Sequence, residues 1–105
     1  MRAIRFDRAV RVPARVLSRE LDDELVLLDL EAEVYYGLDA VGTSMWRRLV
    51  VEPDIESAFA ELTKEFEVDA AILRRDFARL LDELLDCGLL ELVEPASERD
   101  GPRSP

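Results

Sequence analysis

Arg74, Arg75, Asp76 and Arg79 place three guanidiniums and one carboxylate within a short stretch of the chain. Guanidinium forks match carboxylates, so this cluster can meet an acidic peptide, with Asp76 meeting a basic or hydroxyl group. Tyr35 and Tyr36 add two aromatic rings with polar tips. The carboxylate pairs Asp22-Asp23 and Asp82-Glu83 are adjacent in sequence, so their side chains diverge rather than converge on a metal or a proton. The chain has no His, and therefore lacks the commonest general base and the commonest metal ligand. Its single cysteine, Cys87, has no His to activate it and reads most simply as a small buried apolar residue. Gly37, Gly42, Gly88 and Gly101 are too scattered for a phosphate-cradling loop. These residue types favour binding over catalysis; no catalytic residue, metal or cofactor is expected.

Charge narrows the partners. With 24 acidic against 14 basic residues the net charge is −10. A field of that sign repels phosphate backbones and anionic headgroups, so neither nucleic acid nor membrane is an expected partner. The distribution is uneven: five arginines (2, 5, 8, 11 and 15) face one aspartate in the first fifteen residues. Such a basic arm either lies on the acidic body or contacts a partner or a second protomer. One cysteine excludes an intramolecular disulfide and suits a reducing compartment. Asp7, Arg8 and Arg11 interrupt any signal-like apolar stretch, and no apolar run approaches the ~18–20 residues that span a bilayer, so a cytoplasmic location is expected.

The elements that must position these residues follow from periodicity. The 105 residues are 49% hydrophobic, enough for one small core and one domain. The chain divides into a basic arm at 1–13, a folded domain at 14–93 and a tail at 94–105 rich in Pro, Ser and charge, expected to be disordered. Residues 14–19, then Leu25–Leu30, then Val34–Leu38 have strand length, separated by acidic breaks, and predict a three-stranded antiparallel meander. After Leu38 the period becomes helical. Asp39, Asp54 and Asp69 are candidate N-caps, and Pro53 ends the first helix. Val41, Met45, Trp46 and Leu49 form the first apolar stripe, with Trp46 read as core; Ile55, Ala58, Phe59, Leu62 and Phe66 form the second. Ile72, Leu73, Phe77, Leu80, Leu81, Leu84 and Leu85 form the third, on a helix at 69–87 with Gly88 as its C′ residue. Leu89–Val93 either closes as a short strand or packs its apolar side chains.

Three strands followed by three helices make an α+β domain of winged-helix-like order, because the second and third helices form a helix-turn-helix pair. A DNA reading fails on charge: the would-be recognition helix, 69–87, sums to −2. The third strand is more informative. As a sheet edge it offers unpaired N–H and C=O groups to which a guest strand can add, beside a groove against the third helix. Side chains alternate, so Tyr36 shares the core face with Val34 and Leu38, and Tyr35 lines a groove or sits in solvent. A solvated helix face with intrahelical pairs among Arg75, Arg79, Asp82 and Glu83 is the alternative for the charged residues.

The runs Glu24–Leu30, Val34–Asp39, Val41-Gly42 and Trp46, then Phe66–Asp69, Arg75–Phe77, Leu80-Leu81, Leu84 and Gly88–Leu90, resemble the PqqD-like family over residues 14–93. Such domains are also called precursor-peptide recognition elements of ribosomally made, modified peptides. The resemblance implies a non-catalytic protein that binds the leader segment of a precursor peptide. The leader adds as a further strand to strand 34–38, lies against helix 69–87, and is presented to a modifying enzyme such as a leader protease. Tyr35-Tyr36-Gly37-Leu38-Asp39 and Val26-Leu27-Leu28-Asp29 are most similar to the discrete leader-binding proteins of lasso-peptide clusters. The alternatives are a peptide chaperone for a radical-SAM enzyme in coenzyme pyrroloquinoline quinone synthesis, or a structural dimerisation module. Carried over by position, the peptide-binding residues are Val34, Tyr35 and Tyr36 on the strand and Arg75, Asp76, Arg79 and Leu80 on the helix, extended by Ile72 and Leu73. Some members of the family dimerise, so a homodimer stays open.

Overall fold

Residues 24–29 alternate between core and surface, and this alternation builds the central strand of the molecule. The computed structural model describes residues 6–22 and 24–93. The tail expected from Glu94 onward, and Arg2 and Arg5 of the basic arm, lie outside the described residues. Strands β2 (Val16–Leu21), β3 (Glu24–Asp29) and β4 (Val34–Leu38) form an antiparallel meander in that order. Leu27 of β3 faces Ser18 on one side and Tyr36 on the other. Leu25, Leu27 and Asp29 point to the core, as strand periodicity requires.

The β3–β4 turn is held by Asp29. Its carboxylate is 2% exposed, and Oδ1 accepts hydrogen bonds from the backbone N–H groups of Glu31 and Ala32, each at 3.1 Å. Arg15 Nε donates to Oδ2 at 2.9 Å. The Ala32 and Glu31 amides and the Arg15 guanidinium hold the Asp29 carboxyl below its usual range, against the opposing effect of burial.

Three helices share one core with the inner face of the sheet: α1 (Ala40–Val51), which lies against β3 and β4, α2 (Ile55–Glu65), which packs on the other two helices, and α3 (Ala70–Asp86). The predicted N-caps occupy their positions. Asp39 Oδ1 accepts from Gly42 N–H at 2.8 Å and Asp69 Oδ1 from Ala71 N–H at 2.7 Å, whereas Asp54 caps α2 without a side-chain capping bond. Gly88 closes α3 at φ +78°, a left-handed conformation that suits glycine. Its N–H reaches Leu85 O at 3.2 Å and that of Leu89 reaches Leu84 O at 2.9 Å, the paired bonds of a Schellman motif. Leu84 and Leu89 are both fully buried beside it.

The buried stripe of α3 is Leu73, Phe77, Leu81 and Leu84. Two expectations of burial are corrected: Ile72, placed in the stripe by its spacing, is 47% exposed, and Cys87, read as buried from its residue type, is exposed. Ile72 sits about 100° around the helix from Leu73, and Cys87 is the C-cap, on the solvent side of the turn.

Beyond the predicted order, Ala9–Arg11 forms β1, which pairs antiparallel with β5 (Glu91–Val93). On its other side Val10 N–H donates to Pro53 O, and Ile55 N–H donates to Arg8 O, each at 3.0 Å. Arg11 and Glu91 form an ion pair across the β1–β5 pair. Phe6 is buried, and its ring lies edge-on to Phe59 and Phe77 at centroid distances of 5.5 and 5.7 Å. No helix among the described residues is long and apolar enough to cross a membrane.

Candidate functional site

β4 is bonded to β3 along one side, and among the described residues nothing pairs with the other. Alternation gives its two faces different characters. Val34 and Tyr36 are half-buried and Leu38 is buried on the inner face, whereas Tyr35 is 75% exposed on the outer one.

Beside this free edge lies a groove of about 390 Å³. Tyr36, Gly37, Leu38 and Asp39 form one wall, and Asp76, Arg79, Leu80 and Glu83 of α3 form the facing wall. Val41, Gly42 and Met45 of α1 close its end. Val41 is 45% exposed although it belongs to an apolar stripe, because its side chain borders this open groove rather than the core.

The two walls are tied together. The Tyr36 hydroxyl donates a hydrogen bond to Glu83 Oε1. Burial, reinforced by the Glu83 acceptor and its charge, pushes the Tyr36 phenol up to about 12. Arg15 makes a second tie: besides Asp29, its Nη2 donates to Gly88 O at 3.3 Å. One guanidinium thereby joins the turn that begins β4 to the end of α3.

Of the residues expected at the site, Tyr36, Asp76, Arg79 and Leu80 line this groove together. Val34 lies at the far end of β4 and packs against the core, and Tyr35 points to the outer face. Leu73 is buried in the core, while Ile72 and Arg75 are exposed on α3 and do not border the groove. Arg75 approaches Asp76, at 3.7 Å. Arg74 turns to the opposite side, its guanidinium 3.9 Å from the Phe6 ring centroid. The intrahelical pairing considered for Glu83 gives way to the Tyr36 contact. Gly37, Leu38, Asp39, Val41, Gly42, Met45 and Glu83 were not anticipated. The helical period places Glu83 one turn after Arg79, but the β4–α1 corner is brought there by tertiary packing alone. No group of three or more His, Cys, Asp and Glu side chains among the described residues is placed to hold a metal ion.

A free edge strand, a facing helix and a groove between them define a small winged-helix-like α+β binding domain. Residues 24–90 match the coenzyme PQQ synthesis protein D (PqqD) family, and the chain belongs to that family. Two solved structures are similar to it. One is TbiB1 in complex with the TbiA(beta) leader peptide, at 36% identity and a TM-score of 0.71, covering 77% of this chain and 94% of that one. The other is a lasso peptide synthetase B1 complexed with its leader peptide, at 25% identity and a TM-score of 0.70, covering 79% and 98%. No curated protein sequence matches the chain.

Proposed function

We propose that this chain binds the leader segment of a ribosomally made precursor peptide and presents it to a processing enzyme such as a leader protease. The leader adds as a strand to the outer side of β4, with alternate side chains entering the groove against α3. The observation that carries this reading is the unpaired edge of β4 beside a groove walled by Asp76, Arg79, Leu80 and Glu83. The leader complexes formed by TbiB1 and by the lasso peptide synthetase B1 support it. Main-chain bonds supply register and part of the affinity, and the groove supplies selection. The domain acts by binding rather than catalysis, and works in the cytoplasm where precursors are made.

A second reading keeps the fold but changes the client: a chaperone of the precursor in coenzyme PQQ synthesis, supported by the description of the matching family. One experiment addresses both. The purified chain is titrated with leader peptides encoded beside its gene, and binding is followed by amide NMR. Saturable shifts concentrated in residues 34–42 and 76–83, along β4 and the groove beside it, are the expected result. Saturable binding with shifts elsewhere sinks the site and keeps the function. A solution dimer that binds no neighbouring leader favours a structural role instead.

A further inference from the structure

Two of the three arginines on α3 already have partners. Arg74 lies over Phe6, and Arg75 approaches Asp76 outside the groove. Arg79 is exposed, lines the groove, and makes no ion pair or side-chain hydrogen bond among the described residues. It is the only cation among the groove residues.

The acids around it are each engaged. Asp39 accepts from Gly42 N–H, Asp76 faces Arg75, and Glu83 accepts from the Tyr36 hydroxyl. Neutral donors leave the charges of Asp39 and Glu83 in place, so the groove carboxylates outnumber its one guanidinium; what lacks a protein partner there is the set of N–H donors of Arg79. In open water the Arg79 guanidinium is satisfied by solvent. A strand laid over it removes that water and leaves N–H donors that need an acceptor. The backbone carbonyls of a strand lie in the plane of its sheet, whereas β4 itself reaches α3 through an inward-facing side chain, that of Tyr36. An inward-pointing side chain of a guest strand is placed to do the same.

We propose that Arg79 selects guest peptides that place a carboxylate, from Asp or Glu, at the inward-facing residue opposite it. The inference rests on the peptide-binding reading and adds a sequence rule to it. Strand alternation restricts the acid to one parity: its neighbours at one residue's distance point past Tyr35, and those two residues away face the groove again. The net charge of −10 opposes a run of acids, so the rule asks for a single carboxylate in a neutral or basic setting.

The test uses the neighbouring-gene leader that binds in the titration above. Each Asp or Glu is replaced singly by Asn or Gln, and each peptide is measured against the wild-type chain, Arg79→Gln and Arg79→Glu, with thermal melts reporting folding. One replacement should weaken binding to wild type by about fivefold, the size of a modest ion pair, and leave binding to Arg79→Gln unchanged. Lys at that position should bind wild type poorly and regain affinity with Arg79→Glu. Equal loss in wild type and Arg79→Gln overturns the proposal, as does tighter binding of the Lys peptide to wild type. So does a tight-binding leader with no acid in its bound segment. Failure of every leader to bind wild type is a separate result, which removes the peptide-binding reading itself.

Discussion

Asp29 is the residue on which the start of β4 depends, and its chemistry predicts an acid response. Its carboxyl titrates below the unfolded value because the Ala32 and Glu31 amides and Arg15 stabilise the charged form. A group depressed in the folded state contributes stability above its unfolded pKa, and that contribution is lost as pH falls through the folded value. Melting temperature should therefore fall between about pH 4 and the acid limit, and Asp29→Asn should lower it at neutral pH while flattening that slope. At alkaline pH the sign reverses for Tyr36. Its phenol is raised to about 12, so stability declines as pH climbs from the ordinary tyrosine value toward that point, and Tyr36→Phe should remove the decline. Tyr35→Ala should weaken leader binding and leave the melting temperature near wild type, because the ring is largely in solvent; a binding curve and a melt check both halves. Single side chains were unevenly legible from the sequence. Alternation sufficed to separate Tyr35 from Tyr36. Nothing local told Arg74 from Arg79, since the difference is Phe6, 68 positions before Arg74 on another segment.

Elements were more legible than side chains, because caps and periods are local. Asp39 and Asp69 announce helices by their type and spacing, and Gly88 announces the end of α3. Replacing Gly88 by Ala should cost about 1 kcal/mol, the ordinary penalty for a left-handed Cβ. The nearest atom to an added Cβ is Arg15 Nη2 at 3.6 Å, an ordinary contact, so conformation rather than crowding sets that cost. The free edge of β4 offers a paired test. Backbone donors alternate between the two sides of a strand, so of Tyr35→Pro and Tyr36→Pro one removes a donor facing β3 and the other a donor facing the open edge. The first should lower the melting temperature sharply; the second should keep most of it and abolish leader binding. Equal behaviour of the two variants in both assays would sink strand addition. β1 escaped sequence reading because three residues inside a basic segment carry no period of their own. Its register comes from β5 and from Pro53 and Ile55, all distant in sequence.

At the scale of the molecule, the family match begins at Glu24, yet the core does not. Phe6, Ala9, Val10 and Val16 are buried ahead of it. Phe6→Ala should cost about 3–5 kcal/mol, the range for deleting a packed aromatic ring, and would free Arg74 from its aromatic cover. An excised 24–90 segment lacks β1, β2 and β5 entirely, and should give the circular dichroism of an unfolded chain. The acidic charge excess was visible at once in the composition. The way the basic segment is fastened was not, because Arg11 meets Glu91 and Arg15 meets Asp29 only after the chain has closed on itself.

That closure has a consequence for synthesis. Arg11 and Glu91 stand 80 positions apart in the chain and side by side in the fold. On the ribosome, β1 emerges early and must wait, its β5-facing edge unpaired, until nearly all of the rest of the domain has left the exit tunnel. The helices can form locally in the meantime, but the pairing of first strand with last is the late step. A permuted gene that joins residue 93 to residue 6 through a short linker, so that Phe6 and Arg8 are kept, and is opened at the β2–β3 turn, would turn this late pairing into a local one. Such a protein should refold faster than its parent and keep the same groove.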